Sequence, residues 1–409
     1  MAELPRRGFL QVATAALSSL FIPPQVFNLT LPEQPKNLVA KIKSGDFGSD
    51  GNNYPEKPAE YSLPAEIVTD RKWERILSTE NPPASYRQAS VYCSSRESTV
   101  IHGGWDGVSN RSETWELKNK QWSLLEAGST PPLSGHKMVN TPHGLFMFGG
   151  VITSNEYSNK AYLFNFNNSQ WQEISFSGDL LSPLQGMGMM YDQKENVVWV
   201  VGGAIGMGIT NSISLFRPPT EVGGVWQHQK LGQMSETGTL PLLFEPFVYQ
   251  RGNDGRVMVY GGLRQESTRR VDSNYVYELG YHQDSNYGLI ADVQISTQPL
   301  VDYAGPVGGG FDLKKGRLVL NGGSTPNLFG QINWPESVDY SQKENKWRTV
   351  SADGGPRWVT KAAGAMDDKG NYYRFGGVYY VDGDPYGHFS NETWILKSVY
   401  NTHLPLVVS

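Results

Sequence analysis

The stretch from Gly144 to Ile174, GLFMFGGVITSNEYSNKAYLFNFNNSQWQEI, holds one complete unit of a pattern that recurs along most of the chain. An apolar run ends in Gly149-Gly150. A polar loop, a second run containing Tyr162, a turn and a short run opened by Trp171 follow. Double glycines after an apolar, strand-like run recur at 103–104, 149–150, 202–203, 261–262, 322–323 and 376–377, at intervals of 46 to 61 residues. Such a spacing marks a repeat architecture rather than one irregular core.

A tryptophan follows the double glycine in four units, as Trp122, Trp171, Trp226 and Trp347, and the last unit lacks one. The missing segment lies at the other end of the chain. Arg71 to Leu77, RKWERIL, reads like Asn345 to Val350, NKWRTV, and has no double glycine before it. The N-terminal strand around Trp73 is therefore expected to complete the final unit and close a ring of six, which removes exposed sheet edges. The fifth unit departs from the pattern, with Ile290 to Ile295 where a tryptophan should open the outer strand.

The double glycines, the closing tryptophan and the Asn-x-x-aromatic steps at Asn159 to Tyr162, Asn274 to Tyr277 and Asn391 to Trp394 resemble the kelch-repeat family of β-propellers over residues 71–400. The resemblance implies an all-β fold, a six-bladed propeller closed by the strand around Trp73. It leaves function open, because one superfold hosts many activities.

Composition agrees with a turn-rich all-β chain. Of 409 residues 18% are charged, 45 are Gly and 25 are Pro, and no long heptad or charge block is visible. The formal charge of −5 comes without a basic stripe and argues against a nucleic-acid partner. The single cysteine, Cys93, excludes an intrachain disulfide and reads as a buried, inert thiol.

Residues 1–22 place Arg6-Arg7 ahead of about fourteen mostly apolar residues, too short for a stable membrane span and suited to an export signal. Arg6 to Leu10 resembles the core of a bacterial twin-arginine signal, although Pro5 and Gln11 depart from its usual flanks and no clear A-x-A cleavage site follows. The expected location is exported, secreted or periplasmic; the other reading is the N-terminus of an intracellular protein. Residues 23–70, rich in Pro, Asn and Gly, read as a linker or strap, and residues 401–409 as a tail.

In a four-stranded meander the loop before strand one and the loop after strand two emerge on the same side, so both sets from six blades meet at the mouth of the central channel. Function is expected there. The second-to-third-strand loops carry Trp105, Asp106, Tyr157, Met207, Arg264 with Glu266, Asn327, Trp334 and Tyr379 to His388. The loops leading into the blades add Arg87, His136, Glu245, Tyr303, Trp358 and Lys361. Aligning the inner strands on Tyr92, Asn140, Tyr191, Tyr249, Phe311 and Met366 puts Arg87, His136, Glu245 and Lys361 at or next to equivalent positions.

Nine of these are the ligand-binding candidates: Arg87, Trp105, His136, Glu245, Arg264, Tyr303, Trp334, Trp358 and Lys361. Mixed charge beside aromatic rings fits a polar, sugar-like ligand. The competing account pairs Arg87 with Glu245 and lets Trp105, Trp334 and Trp358 cap the core. As catalytic candidates, Glu245 or His136 would move a proton while Arg87 holds a carboxylate, though no spacing requires it. Seven scattered histidines without an H-x-x-H or H-E-x-x-H pair point to no metal, and no motif points to a cofactor. Gly202 to Gly208, GGAIGMG, lacks the helix that a dinucleotide loop needs.

Two readings follow. The first is a non-catalytic module that holds a protein or glycan partner on the channel-mouth face. The second is a metal-independent enzyme on a small polar substrate, similar in architecture alone to exported kelch-type sialic-acid mutarotases, or an accessory enzyme of a small-molecule pathway. A pocket with Arg87, Glu245 and His136 in reach of one point favours the enzyme.

Overall fold

The computed structural model describes residues 66–399 apart from 69, 207, 222, 235, 237, 253, 267–268, 274, 297–307, 323, 328–329, 334–336, 352–354, 357–358 and 381–386. The expected export signal, most of the strap and the tail lie outside the described residues. Within them the chain is all β, and no helix is long and apolar enough to cross a membrane.

Six four-stranded antiparallel sheets form the blades. The first, second and third run from Ala89–Cys93 to Gln121–Ala127, from Lys137–Thr141 to Gln170–Glu173, and from Gly188–Asp192 to Trp226–Lys230. The fourth runs from Phe247–Gln250 to Gly288–Ile295, and the fifth from Gly308–Asp312 to Lys346–Val350. The segment Ile290 to Ile295 thus belongs to the fourth blade, not the fifth. Lacking a tryptophan, this outer strand is lengthened instead and pairs with the nine-residue strand Val276–Asp284. Three short segments, Ile67–Val68, Phe176–Gly178 and Gly232–Gln233, add a parallel fifth strand to the outer edges of blades five, three and four.

Burial follows position in the blade. Second strands such as Ser98–His102 and Val197–Val201 are buried at every residue, because neighbouring blades cover both faces of each sheet. Outer strands alternate, and Gln170–Glu173 buries only Trp171. Apolar side chains collect between blades rather than in one centre. Ile76, Ile101, Leu117, Trp122 and Phe375 join blades six and one, and Phe146, Val198, Val200 and Phe216 join blades two and three. The closing tryptophans reach backwards: Trp122 Nε1 donates to Thr393 Oγ1 at 2.7 Å and Trp171 Nε1 to Thr114 Oγ1 at 2.8 Å, each in the preceding blade.

Four of the six double glycines share one physical cause. In blade two both Gly149 and Gly150 have positive φ, 73° and 101°. A β-carbon on Gly149 would run into the carbonyl oxygen of Leu184, in the loop leading to blade three, and the Gly150 N–H donates to that same oxygen at 2.7 Å. The pair Gly103-Gly104 repeats this against Leu133, Gly202-Gly203 against Leu243 and Gly376-Gly377 against Ser85. One glycine admits the neighbouring carbonyl and the next satisfies it.

Closure of the ring is antiparallel pairing of Arg71–Ile76 with Thr393–Ser398, with Trp73 opposite Leu396 and Arg75 opposite Trp394. Arg71 is buried and reaches past its own blade. Its Nη2 meets Asp312 Oδ2 at 2.9 Å, its Nε meets Asp339 Oδ2 at 3.0 Å, and its Nη1 donates to the Gly370 carbonyl at 2.9 Å. Asp70 beside it pairs with Lys315 at 2.8 Å and Arg317 at 3.1 Å. The closing strand is therefore fastened to blades five and six together.

Two stability changes test this account by urea unfolding. Arg71→Met leaves two buried carboxylates without their shared guanidinium and is expected to cost about 3–5 kcal/mol; a loss below about 1 kcal/mol would contradict the closure. Gly149→Ala is expected to cost clearly more than Gly128→Ala, because Gly128 also has positive φ, 103°, but nothing lies within reach of its added methyl group. Equal losses would leave only backbone strain and remove the carbonyl contact from the explanation.

Candidate functional site

The loops leading into the blades meet at the axis in a belt of left-handed residues. Arg87, Gly135, Gly186, Glu245 and Lys361, each two residues before its inner strand, have φ of 60°, 65°, 57°, 54° and 56°. Four of these N–H groups point to the carbonyl of the counterpart in the preceding blade: Arg87 to Lys361 at 3.0 Å, Gly135 to Arg87 at 2.9 Å, Gly186 to Gly135 at 2.8 Å and Glu245 to Gly186 at 2.6 Å. The belt holds three charged side chains at equivalent places around the mouth.

Arg87 and Glu245 face each other there. Arg87 Nε lies 3.3 Å from Glu245 Oε1, and both side chains are 10% exposed. The guanidinium lies over Gly135, its Nη2 donates to Gln185 Oε1 at 3.0 Å, and its centre sits 5.8 Å from the Phe244 ring. Burial works against the Glu245 carboxylate, but Lys361, Arg87 and Lys137 outweigh it and hold its pKa below the usual range. Burial pulls Lys361 down to about 8, with Glu245 resisting and Arg87 adding to the fall. Lys137, at the head of the second blade's inner strand, is lowered by burial for the same reason.

His136 stands one residue beyond the belt position, which Gly135 occupies, and that offset turns its side chain away from the mouth. It is buried at 1% exposure between the double glycines of blades one and two, against Gly103 and Gly150. Its Nε2 meets His102 Nδ1 at 2.9 Å, and His102 Nε2 meets Thr130 Oγ1 at 3.0 Å. Burial pushes His102 down to about 3 and His136 well below its ordinary value, so both rings are neutral. Arg87, Glu245 and Lys361 are brought together; His136 is not. The convergence on one point that would favour a His136-dependent enzyme is not present.

Above the belt, the second-to-third-strand connections form a crown of β-hairpins rather than open loops. Val151–Thr153 pairs with Glu156–Tyr157, Ala204–Ile205 with Gly208–Ile209, Leu263–Glu266 with Arg269–Asp272, Ser324–Asn327 with Gly330–Asn333, and Val378–Tyr380 with Gly387–Phe389. In blade one, Trp105 bridges Tyr86 and Asn110 through its backbone. Bridges from Ser134 to Val151, Gln185 to Ala204 and Thr360 to Val378 tie the hairpins to the belt loops. Neighbouring crown elements touch: Tyr86 stacks on Phe389 with ring centroids 5.5 Å apart. Arg264 lies in the fourth hairpin with its guanidinium 5.2 Å from the Tyr275 ring. Tyr303, Trp334 and Trp358, together with Met207, lie outside the described residues.

Lys137 and Gln185 were not singled out from the sequence, yet both take part in the charged group. The available signal was proximity to the belt, Lys137 two residues after Gly135 and Gln185 directly before Gly186. Among the described residues no group of three His, Cys, Asp or Glu side chains could hold a metal ion. Asp339, on its strand, is instead engaged by the closing Arg71.

Comparison with known proteins places this geometry among relatives. Residues 49–245 match the family described as the KLHDC2/KLHL20/DRC7 Kelch-repeats domain. Tip elongation aberrant protein 3 of Schizosaccharomyces pombe is 26% identical over 155 residues, 36% of this chain and 13% of that protein. Host cell factor 2 of Homo sapiens is 25% identical over 138 residues, 32% of this chain and 17% of that protein. Host cell factor of Drosophila melanogaster is 24% identical over 143 residues, covering 33% and 9% respectively. The match thus spans less than a fifth of each of these relatives.

The lowered Lys361 pKa has a consequence for stability. An unfolded lysine keeps its proton to about pH 10.5, whereas folded Lys361 releases it near 8. Between those values the unfolded chain binds more protons, so this group makes stability rise with pH, and below 8 the buried charge costs its full amount. Lys361→Met is expected to stabilise the protein at pH 7 and to remove this group's rise in stability between pH 8 and 10.5, so that the two curves converge across that window. Parallel unfolding curves for parent and variant across that window would contradict the burial of this ammonium group.

Proposed function

From the premise that the chain is a kelch-repeat β-propeller, we propose that it is a non-catalytic binding module holding a protein partner on its channel-mouth face. The observation that carries this reading is the crown: hairpins fastened by backbone bridges to the charged belt give a broad, rigid rim around a polar centre. A rim of that kind engages a partner without reordering its own backbone, which lowers the entropic cost of association. Half-buried hairpin residues such as Tyr157 supply apolar contact, and Arg87, Glu245 and Lys361 fix orientation from below.

The sealed histidine pair supports binding over chemistry. With His136 neutral, buried and engaged by His102, the proton-transfer role considered for it has no access to a ligand. Glu245, held ionised beside Arg87, is suited to orienting a cationic or hydroxyl group. A carbohydrate or small polar ligand at the same face is the other partner class.

The test is capture from extracts of the source cells by the immobilised full chain, followed by identification of what is retained. Tyr157→Ala combined with Lys361→Met is expected to reduce specific capture about tenfold, as loss of two central contacts does. Lys194→Ala, on the turn at the opposite end of blade three, should leave it unchanged. Equal capture by the crown variant and the parent would remove the face assignment, and retention of glycans in place of a protein would transfer the reading to carbohydrate.

A further inference from the structure

The neck of the channel carries more positive than negative charge. Arg87, Lys137 and Lys361 are three cations, and Glu245 is the one carboxylate whose charge acts on Lys137 and Lys361 there. The excess is therefore two positive charges among the described residues. Arg87 and Glu245 are nine-tenths buried there, and the unbalanced positive charge beside them costs free energy unless a counter-charge is bound.

Hydrogen-bonding capacity is left over at the same point. Arg87 Nε is buried without a hydrogen-bond acceptor, because its 3.3 Å approach to Glu245 Oε1 lacks hydrogen-bond geometry, and Glu245 Oε2 is buried without a donor. An orphaned donor and an orphaned acceptor on adjoining side chains call for a ligand offering both an acceptor and a donor. The charge excess adds that this ligand should carry about two negative charges.

We propose that the neck binds an oxyanion of the hydrogen phosphate type. Its unprotonated oxygens accept from Arg87 Nε and from the ammonium groups of Lys137 and Lys361, and its remaining O–H donates to Glu245 Oε2. Sulfate has the charge but no proton to give at neutral pH. A simple carboxylate lacks both the second charge and the donor. A phosphate monoester of the same charge has no O–H left either, so the fit is to free hydrogen phosphate, and the inference rests on the same placement of Arg87, Glu245 and Lys361 as the proposed partner face.

Isothermal titration calorimetry of the full chain at pH 7 and fixed ionic strength, with inorganic phosphate, sodium sulfate and sodium acetate, tests it. Phosphate should bind at one site and exceed sulfate by about tenfold, the usual consequence of leaving a buried charged acceptor unpaired, and acetate should give no saturable heat. Lys137→Gln and Lys361→Gln should each weaken phosphate about tenfold. Glu245→Gln supplies an amide donor in place of the acceptor and should abolish the preference for phosphate over sulfate, a change that simple loss of packing would not produce. Thermal unfolding of every variant establishes that it is folded, and Lys137→Gln keeps the test decisive if a belt variant is not. O-phosphoserine as a further titrant separates the sources: as a monoester dianion without an O–H it should bind no better than sulfate, and binding comparable to phosphate would overturn the requirement for the donor. Tyr157→Ala should lower partner capture and leave the phosphate titration intact, so failure of one reading is distinguishable from failure of the other. Absence of phosphate binding by the parent, equal binding of sulfate, or unchanged binding by the lysine variants would overturn the proposal.

Discussion

Four of the six blade junctions depend on one contact made repeatedly: a loop carbonyl of one blade inserted over the first of two glycines in the blade before it. At Gly202 and Gly376 an added β-carbon would stand 2.5 and 2.6 Å from the carbonyls of Leu243 and Ser85. Each carbonyl is then held by the N–H of the second glycine, at 2.7 Å from Gly203 and 2.9 Å from Gly377. Apolar burial between blades supplies the larger driving force, but burial is non-directional. The carbonyl contact sets the angle and height at which adjacent sheets meet. It also lies where the strand ends and the crown begins, because the second glycine's own carbonyl accepts from the chain returning toward strand three, as from Arg111 to Gly104 at 2.8 Å and from Ser390 to Gly377 at 2.9 Å. Blade packing and the shape of the outer rim are consequences of the same few backbone atoms.

Closure needs something more, since the segment completing blade six begins almost three hundred residues before the strands it joins. Bringing such distant segments together costs chain entropy, though the cost grows only slowly with length. Six residues of antiparallel pairing and the burial of Trp73 against Leu396 and Tyr372 offset that cost. They do not by themselves choose the register, as a two-residue slip would keep the same faces inward. Arg71 chooses it. Its three acceptors, Asp339, Asp312 and the Gly370 carbonyl, come from two different blades, and only one register satisfies all of them. A buried ion pair contributes little net stability but penalises a misplaced partner heavily, which suits a latch.

What could be read from the sequence was what the contact just described writes into it. Double glycines after apolar runs are visible without coordinates, and so is the segment around Trp73 that supplies the strand missing from the last unit. The fourth blade was harder, because it closes with a long strand pair, Val276–Asp284 against Gly288–Ile295, and carries no tryptophan to count. The site was legible to within one residue and no better. Aligned inner strands brought Arg87, Glu245 and Lys361 into correspondence, but His136 sits one place further on, and one place in an extended chain sends a side chain to the other face. For the same reason Lys137, two places past Gly135, shares the belt's electrostatics while its neighbour is sealed in the core. Which of two adjacent polar residues faces the axis is decided by the left-handed turn before the strand, and a non-glycine residue in that turn leaves no mark in the sequence.

That turn bears on why the charged trio is present. A left-handed backbone costs a residue with a β-carbon roughly 1–2 kcal/mol, and glycine avoids the cost. The belt accepts glycine, since Gly135 and Gly186 occupy it in blades two and three with the same φ and the same inter-blade hydrogen bond. Arg87, Glu245 and Lys361 therefore carry strain that the fold does not require, and two of them, Arg87 and Glu245, carry desolvated charge in addition. Packing does not recover all of either term: the Arg87 guanidinium lies over Gly135, donates from Nη2 to Gln185 and sits near the Phe244 ring, yet its Nε is left without an acceptor. Strain kept at equivalent places around a single opening, where a cheaper residue is already in use next door, is what the proposed binding role of these side chains would explain.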